Sequence, residues 1–177
     1  FYHFILLAKN LEGHKQLREL SKRAWTRAFN FRGLDRRPTF YSDIEEVVGN
    51  NQGNIIGCTA CIGGYLGQSI LNNNHQQADD FLNWCLDVFG KDNFFCELQP
   101  HIKKFDEEGN EIKSEQQIVN EWIYDTGLPC VISTDAYYLN ANEQVLHSSY
   151  LKSDDSETVS SSGGRETADF YATTYFM

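Results

Sequence analysis

Residues 54–64 read Asn-Ile-Ile-Gly-Cys-Thr-Ala-Cys-Ile-Gly-Gly, and residues 129–139 read Pro-Cys-Val-Ile-Ser-Thr-Asp-Ala-Tyr-Tyr-Leu. Each stretch has the composition of a buried strand and ends in a side chain that can bind a metal, Cys61 in the first and Asp135 in the second. Barrel enzymes present such side chains at the carboxyl ends of their parallel strands. The two stretches therefore indicate both a fold class and a candidate site.

The rest of the chain alternates predicted strands with predicted helices. Strands are predicted over residues 2–8, 54–60, 93–99 and 130–134, which are short apolar runs bounded by turn residues. Helices are predicted over about 17 residues after Asn10 and over residues 64–71, 76–89, 114–126 and 140–152. This order predicts an α/β protein with a mostly parallel sheet, either open and doubly wound or part of a barrel.

Two of the predicted helices have a clear apolar face. The predicted face residues are Leu11, His14, Leu17, Leu20, Ser21, Ala24, Trp25 and Ala28 in the first helix, and Phe81, Leu82, Cys85, Val88 and Phe89 in the helix over 76–89. Residues 29–53 are predicted to be mostly loop, with a short helix after Ser42, and residues 102–113 to be a surface hairpin or loop. We expect residues 1–152 to be part of one domain. The Ser-, Asp- and Gly-rich residues 153–177 are expected to be a linker and the start of a following region.

The composition is that of a globular protein with free thiols. Apolar residues make up 41% of the 177 residues, and no apolar run approaches the roughly 18–20 residues of a membrane span. The five cysteines are odd in number and mostly lie in apolar runs, which favours a reducing cytoplasm over a disulfide framework. Because the chain begins at Phe1, without Met and within an apolar run, we expect it to be a piece of a longer protein.

The charge of the chain is unevenly distributed. The net charge is −10, but residues 9–37 contain nine Lys and Arg against three Asp and Glu, about +6, so the remainder carries about −16. A basic stripe beside an acidic body can contact nucleic acid, whereas the simpler interpretation is a solvated helix face. The overall acidity disfavours strong autonomous binding of duplex DNA.

Besides a zinc ribbon, the Cys58-x-x-Cys61 spacing has three interpretations. A zinc ribbon is excluded because the chain has no second Cys/His pair at comparable spacing. On an extended strand, residues three apart point to opposite faces, so at most one of the two cysteines is expected to face a site, and we favour Cys61. The two cysteines are therefore buried structural residues, or Cys61 is a single metal ligand, or the two form a redox pair.

Three further residues have both a functional and a structural interpretation. Asp135 ends a strand and either faces a site at the carboxyl ends of the strands or caps the following helical segment. His3 lies at the start of the first strand, where a lone histidine is usually a hydrogen-bonded core residue. Glu97 is either a site carboxylate, or a residue at the edge of the site that contacts and supports the site residues.

Four segments together resemble the PHP (polymerase and histidinol phosphatase) domain in the form found in bacterial DNA polymerase III alpha subunits. Residues 2–17, with Tyr-His-Phe-Ile-Leu-Leu-Ala-Lys-Asn at their start, resemble its HLxLLAKNxxGYxNL stretch. Residues 59–64 resemble its SACLGG segment, residues 95–101 its YLELQDH segment and residues 128–139 its IPLVATNDVHYL segment. The order and spacing match over about residues 1–150, and residues 169–171 loosely resemble the stretch that leads toward the polymerase palm.

The resemblance implies a fold and a metal site. PHP domains are distorted (β/α)7 barrels with up to three divalent metals at the carboxyl ends of the strands, so this chain is expected to be part of such a barrel. His3, Cys61 and Asp135 match family ligands, and the implied cofactor is Zn, Mn or Mg. In active members the site performs metal-assisted phosphoester hydrolysis, as a 3′–5′ exonuclease or a pyrophosphatase.

The sequence departs from the family pattern at the last ligand. The family's Asp-x-His is Asp135-Ala136-Tyr137 here, and a phenol with a pKa of about 10 is a poor metal ligand at neutral pH. The family's upstream His-x-His motif and downstream palm aspartates are not in this chain, so we expect it to be inactive alone, with its metal partly bound or absent. Its partners are then the rest of a polymerase chain and, through that chain, DNA.

The leading hypothesis is therefore a PHP domain that supports a replicative DNA polymerase structurally, with a degenerate metal site. The alternative is a metal-dependent phosphoesterase with His3, Cys61 and Asp135 among its ligands. The second alternative is a metal-free α/β binding module, in which case the resemblance is accidental.

Overall fold

The computed structural model describes residues 2–31, 33–101, 103–134, 139–143, 145, 146 and 149. The strands are β1 (Ile5–Ala8), β2 (Phe29–Phe31), β3 (Leu34–Arg36), β4 (Ile55–Cys58), β5 (Phe94–Leu98), β6 (Lys104–Phe105), β7 (Glu111–Ile112) and β8 (Cys130–Ile132). The α-helices are α1 (Leu11–Thr26), α2 (Tyr41–Val47), α3 (Tyr65–Leu71), α4 (His75–Phe89) and α5 (Glu115–Asp125), with short 3-10 helices at Gly49–Asn51 and Ala141–Glu143.

A four-stranded sheet in the order β1-β4-β5-β8 organises the chain, and the predicted α/β class is confirmed. Strands β4 and β5 pair in parallel, with Gly57 opposite Phe94. Strand β1 is the exception to the predicted parallel arrangement, because it pairs antiparallel with β4 and places Ile5 opposite Cys58. Strand direction depends on the path of the connection, and the segment between β1 and β4 contains two helices and a hairpin instead of one crossover helix.

The described residues divide into two compact units. The first contains Phe1–Glu97 and Ile118–Val131, and it carries most of the buried apolar residues. The second contains Leu98–Gln117 and the described residues from Ile132 onward. Within the second unit, β6 and β7 form an antiparallel hairpin, which confirms the turn predicted over 102–113.

The core of the first unit is formed by α4 and the strands. Its fully buried side chains include Ile55, Leu66, Cys85, Phe89, Phe94, Cys96 and Ile123. The rings of Phe89 and Phe94 stack at 6.3 Å between centroids, and a Cβ on Gly57 would lie 2.9 Å from the Phe89 ring. Strand β4 therefore needs glycine at this position to let α4 approach the sheet.

Local signals in the sequence explain where the helices begin and end. The Asn10 side chain accepts a hydrogen bond from the Gly13 amide at 2.9 Å and caps α1 as predicted. The Ser114 hydroxyl accepts one from the Gln117 amide at the start of α5. Gly90 and Gly127 follow α4 and α5 with positive φ angles of 78° and 69°, which glycine adopts without strain.

Several details of the predicted map are wrong. Residues 29–31 and 34–36 form the β2–β3 hairpin instead of a loop, and α2 begins at Tyr41, before Ser42. Strand β8 was expected to be buried, but its residues are exposed, including Cys130. Burial of a strand depends on what packs over its faces, which its own composition does not specify. The predicted helix over 140–152 lies largely outside the described residues.

Among the described residues, no helix combines the length and apolarity needed to cross a bilayer.

A buried carboxylate joins α1 to α2. The Asp43 carboxylate pairs with the guanidinium groups of Arg23 on α1 and of Arg27, which directly follows α1. It also accepts a hydrogen bond from the Phe40 amide at 3.2 Å. Arg23 also pairs with Glu46 at 2.8 Å. Two of the nine basic residues of the 9–37 segment thus pair with carboxylates inside the fold, which no sequence pattern indicates.

We expect Asp43→Ala to lower the free energy of unfolding at pH 7 by about 2–3 kcal/mol, because it leaves two partly buried guanidinium groups without their central partner. Glu46→Ala is the matched control, since its side chain is largely exposed, and its effect should be much smaller. Urea denaturation of both variants checks this. Equal effects would show that Asp43 is not the centre of the cluster.

The same carboxylate makes stability depend on pH. The hydrogen bond from Arg27 lowers the pKa of Asp43 below its ordinary value of 3.8, against the opposing effect of burial. A lowered pKa means that the stabilisation is present at neutral pH and is lost as the pH falls through the folded-state pKa, below about 4. The stability difference between the wild type and Asp43→Ala should therefore shrink when the denaturation is repeated at about pH 3.

Candidate functional site

His3 and Cys61 lie together beside the first two strands of the sheet. His3 precedes β1 and forms an isolated parallel bridge with Gly64, while Cys61 lies in the turn that follows β4. The Nδ1 atom of His3 is 3.5 Å from the Sγ atom of Cys61. Cys61 is half-buried and His3 is exposed, so the pair is open to solvent.

The turn that carries Cys61 has an unusual backbone. Ala60 is buried and has a φ of +61°, a left-handed conformation that residues with a Cβ rarely adopt. This conformation occurs two residues after the end of β4 and redirects the chain, so Cys61 does not continue the alternation of the strand. The sequence predicted a strand to residue 60, and the observed strand ends two residues earlier, at Cys58.

Glu97 fixes this turn from the neighbouring strand. Its buried carboxylate accepts a hydrogen bond from the Ala60 amide at 3.1 Å, and its own amide donates to the Thr59 hydroxyl at 2.9 Å. Two hydrogen bonds at one point of the sheet thus hold the backbone on the amino-terminal side of Cys61. Of the two roles predicted for Glu97, these contacts favour the supporting one.

The two cysteines of the Cys58-x-x-Cys61 motif have different surroundings. Cys58 is buried, and burial together with the nearby Glu97 raises the pKa of its thiol to about 11. A thiol with a raised pKa is a poor nucleophile and a poor metal ligand at neutral pH. The geometry thus distinguishes Cys58 as a packing residue from Cys61, whose sulfur faces His3.

The His3–Cys61 pair has the chemistry of half a zinc site. A tetrahedral ion with a Zn–S bond of about 2.3 Å and a Zn–N bond of about 2.05 Å separates its two donors by about 3.6 Å. The 3.5 Å separation of Nδ1 and Sγ fits that arrangement, and it equally fits a hydrogen bond between thiol and imidazole. No cluster of three or more His, Cys, Asp or Glu side chains suited to a metal occurs in the described part of the chain.

Asp135 and Tyr137, the other two positions predicted for this site, lie outside the described residues. Their predicted roles as ligand and degenerate ligand stay predictions.

Gly64 was missed as a site residue, because its role is steric. A Cβ at this position would meet the carbonyl oxygens of Thr59, His3 and Cys61 at 2.7, 2.9 and 3.0 Å. The Gly63-Gly64 pair is the available signal in the sequence.

Comparison with known proteins identifies the family. The model of the PHP domain matches residues 1–101. The chain is 34% identical to Probable DNA polymerase YorL of Bacillus subtilis (strain 168) over 97% of its own length, and the alignment covers 13% of that protein. The DNA-directed DNA polymerase of Bacillus phage SPbeta gives the same values.

DNA polymerase III subunit alpha of Borreliella burgdorferi is 33% identical over 80% of this chain and 11% of its own length. The chain thus spans little more than a tenth of these relatives. Because the family model covers more than half of the 177 residues, and because the matched region contains both His3 and Cys61, the chain belongs to the PHP domain family.

Proposed function

We propose that this chain is the PHP-domain portion of a DNA polymerase III alpha-like protein and supports the polymerase structurally. The observation that carries this proposal is the alignment with Probable DNA polymerase YorL, which spans 97% of the chain but only 13% of the relative. A segment that covers only 13% of such a relative is expected to pack against neighbouring domains of the same polypeptide. Its partners are then the remaining polymerase chain and, through it, DNA in the cytoplasm.

In this proposal the sheet is part of a distorted (β/α)7 barrel with a degenerate metal site. His3 and Cys61 supply two donors, whereas a closed zinc site uses four. The sequence places Tyr at position 137, where the family pattern has its last His. The family membership also removes the argument for a metal-free module whose resemblance to the PHP domain is accidental.

A metal-dependent phosphoesterase is the second candidate, and the 3.5 Å separation of His3 and Cys61 favours it. In this case the two side chains would bind a divalent ion together with Asp135 and residues outside this chain. A bound ion would supply water activation and charge stabilisation at phosphorus. Glu97 would position Cys61 through the Ala60 amide, and Cys61 would present its sulfur to the ion.

The experiment uses the natural polypeptide that carries this chain. Its intact mass is measured first, and its metal content, DNA synthesis and 3′–5′ hydrolysis are then compared among wild type, Cys61→Ser and Cys130→Ser. Cys130→Ser is the matched control, because Cys130 is an exposed thiol on β8. For a structural domain we expect equal metal content and equal DNA synthesis in all three proteins, and a higher metal content in Tyr137→His.

The two candidates give different results. Metal that is bound in the wild type, retained in Cys130→Ser and lost together with hydrolysis in Cys61→Ser would support the phosphoesterase and contradict the structural role. A natural polypeptide with a mass near 20.3 kDa would contradict both, because neither a polymerase nor a complete ligand set would then be present.

A further inference from the structure

An open groove lined by aromatic rings lies between α1 and residues 37–41 of the first unit. Its cavity volume is about 700 Å³. We refer to it as the aromatic groove; its lining includes Tyr2, Phe4, Trp25, Phe40, Tyr41 and Tyr65. Three of these rings are strongly exposed, Trp25 at 63%, Tyr2 at 56% and Phe40 at 49%. Large exposed rings that share one concave surface mark an interaction site more often than a solvated face.

Three basic side chains lie at this surface, and we refer to Arg18, Lys22 and Arg37 as the basic rim. Arg18 and Lys22 line a shallow depression that shares Trp25 with the aromatic groove, and Arg37 lines the groove itself. The Arg37 guanidinium lies over the Trp25 ring, 3.9 Å from its centroid. The cation thus occupies one face of Trp25, the most exposed ring of the groove.

The basic rim is distinct from the arginines that pack α1 onto α2. Arg23 pairs with Asp43 and Glu46, and Arg27 pairs with Asp43. The Arg27 guanidinium also lies over the Phe40 ring of the groove, 5.3 Å from its centroid. Within the basic rim, Lys22 pairs with Glu19 at 3.2 Å while staying largely exposed, and Arg37 is 3.9 Å from Asp35. These pairs lie on the protein surface, where ion pairs are weak and exchange readily with phosphate.

Charge complementarity determines the class of partner. The chain outside residues 9–37 carries about −16, so its one basic segment is the part that attracts a polyanion. Exposed rings beside a basic surface bind unpaired bases by stacking, which the paired bases of a duplex cannot provide. We propose that the aromatic groove binds a single strand of DNA. The bases stack on its exposed rings, and the phosphates contact the basic rim.

This inference goes beyond the proposed function, because it assigns a DNA contact to a surface that needs neither a bound metal nor Asp135. The groove lining also includes His3, so a strand bound there passes close to the His3–Cys61 pair. The inference stands even if the polypeptide synthesises no DNA, since its test measures binding at the groove alone.

The test is photo-crosslinking of the natural polypeptide to a single-stranded oligonucleotide that contains 5-bromodeoxyuridine. Peptide mapping reports occupancy at the aromatic groove separately from any other DNA site, and titration gives an apparent Kd for it. We expect crosslinks within residues 2–41 or at Tyr65. Trp25→Ala should weaken groove binding about tenfold, because one stacking partner is lost. Combining Arg18→Ala with Lys22→Ala should reduce the slope of log K against log salt by about 1.4, as expected for two lost phosphate contacts.

Matched controls come from exposed residues elsewhere in the first unit. Tyr124→Ala removes a ring that is 74% exposed, and Lys91→Ala removes an exposed charge, and neither should change groove binding. Crosslinks confined to other regions, or equal binding of a duplex of the same length, would overturn the inference. So would protection of Trp25 from N-bromosuccinimide in the DNA-free protein, because another part of the polypeptide would then cover the groove.

Discussion

Gly13→Ala is expected to lower the free energy of unfolding by about 3 kcal/mol or more, although alanine normally stabilises a helix by about 1 kcal/mol relative to glycine. A Cβ at position 13 would lie 2.1 Å from the carbonyl oxygen of Asn54 and 3.0 Å from its carbonyl carbon. These are backbone atoms, so no side chain can rotate away. The same carbonyl oxygen accepts a hydrogen bond from the Lys9 amide at 2.9 Å, next to the paired strands β1 and β4. Because this bond holds the carbonyl in place, α1 would have to move away from the sheet to relieve the clash.

The matched control is Gly49→Ala in the 3-10 helix before β4. Its nearest neighbour would be a methyl of Val88 at 4.0 Å, so the change should stay within about 0.5 kcal/mol. Urea denaturation measures both variants. If Gly13→Ala were as stable as Gly49→Ala, the close approach of α1 to Asn54 would be refuted. If the domain supports a polymerase, Gly13→Ala should also reduce DNA synthesis at temperatures where it unfolds.

Helix α4 shows what hydropathy can predict. All five residues predicted for its apolar face, Phe81, Leu82, Cys85, Val88 and Phe89, are buried. The prediction succeeds because α4 packs a continuous stripe of large apolar side chains against the sheet, and such a stripe is directly readable from the 3.6-residue period.

Helix α1 shows where the same reasoning fails. Leu11 and Trp25 were predicted to face the core and are strongly exposed, whereas Gly13 and Gln16 are buried. Gly13 is buried because the backbones approach closely, and Gln16 because its amide donates to the carbonyls of Val47 and Asn51 at 2.8 and 2.9 Å. Neither cause appears in a hydropathy pattern. The first half of the buried face was therefore predicted one residue away, whereas Leu20 and Ala24 are buried as predicted.

For the candidate site, the sequence indicates two residues that the structure brings together, but not the contacts that hold them. The resemblance to the PHP domain selected His3 and Cys61, and the structure brings their side chains to 3.5 Å. The left-handed Ala60 and the Glu97 hydrogen bond that holds its amide were not predictable, because an alanine carries no signal for a positive φ. The geometry of the site therefore depends on contacts between strands that are distant in sequence.

Gly64→Ala is expected to separate His3 from Cys61 and to lower the free energy of unfolding by about 2–4 kcal/mol. The added Cβ would meet three carbonyl oxygens, those of Thr59, His3 and Cys61, at 2.7 to 3.0 Å. Two of these carbonyls belong to the site residues themselves. Relief of the clash requires the segment before β1 to move away from the turn after β4, which breaks the bridge between His3 and Gly64.

Gly63→Ala is the control one residue away. Its Cβ would make only an ordinary contact with the Cys61 sulfur at 3.5 Å, so both stability and the site should persist. A double-mutant cycle with His3→Ala and Cys61→Ala measures the coupling between the two side chains. We expect a coupling of about 0.5 kcal/mol or more in the wild type and in Gly63→Ala, and none in Gly64→Ala. A coupling that survives Gly64→Ala would show that the pair does not depend on this close approach of backbones.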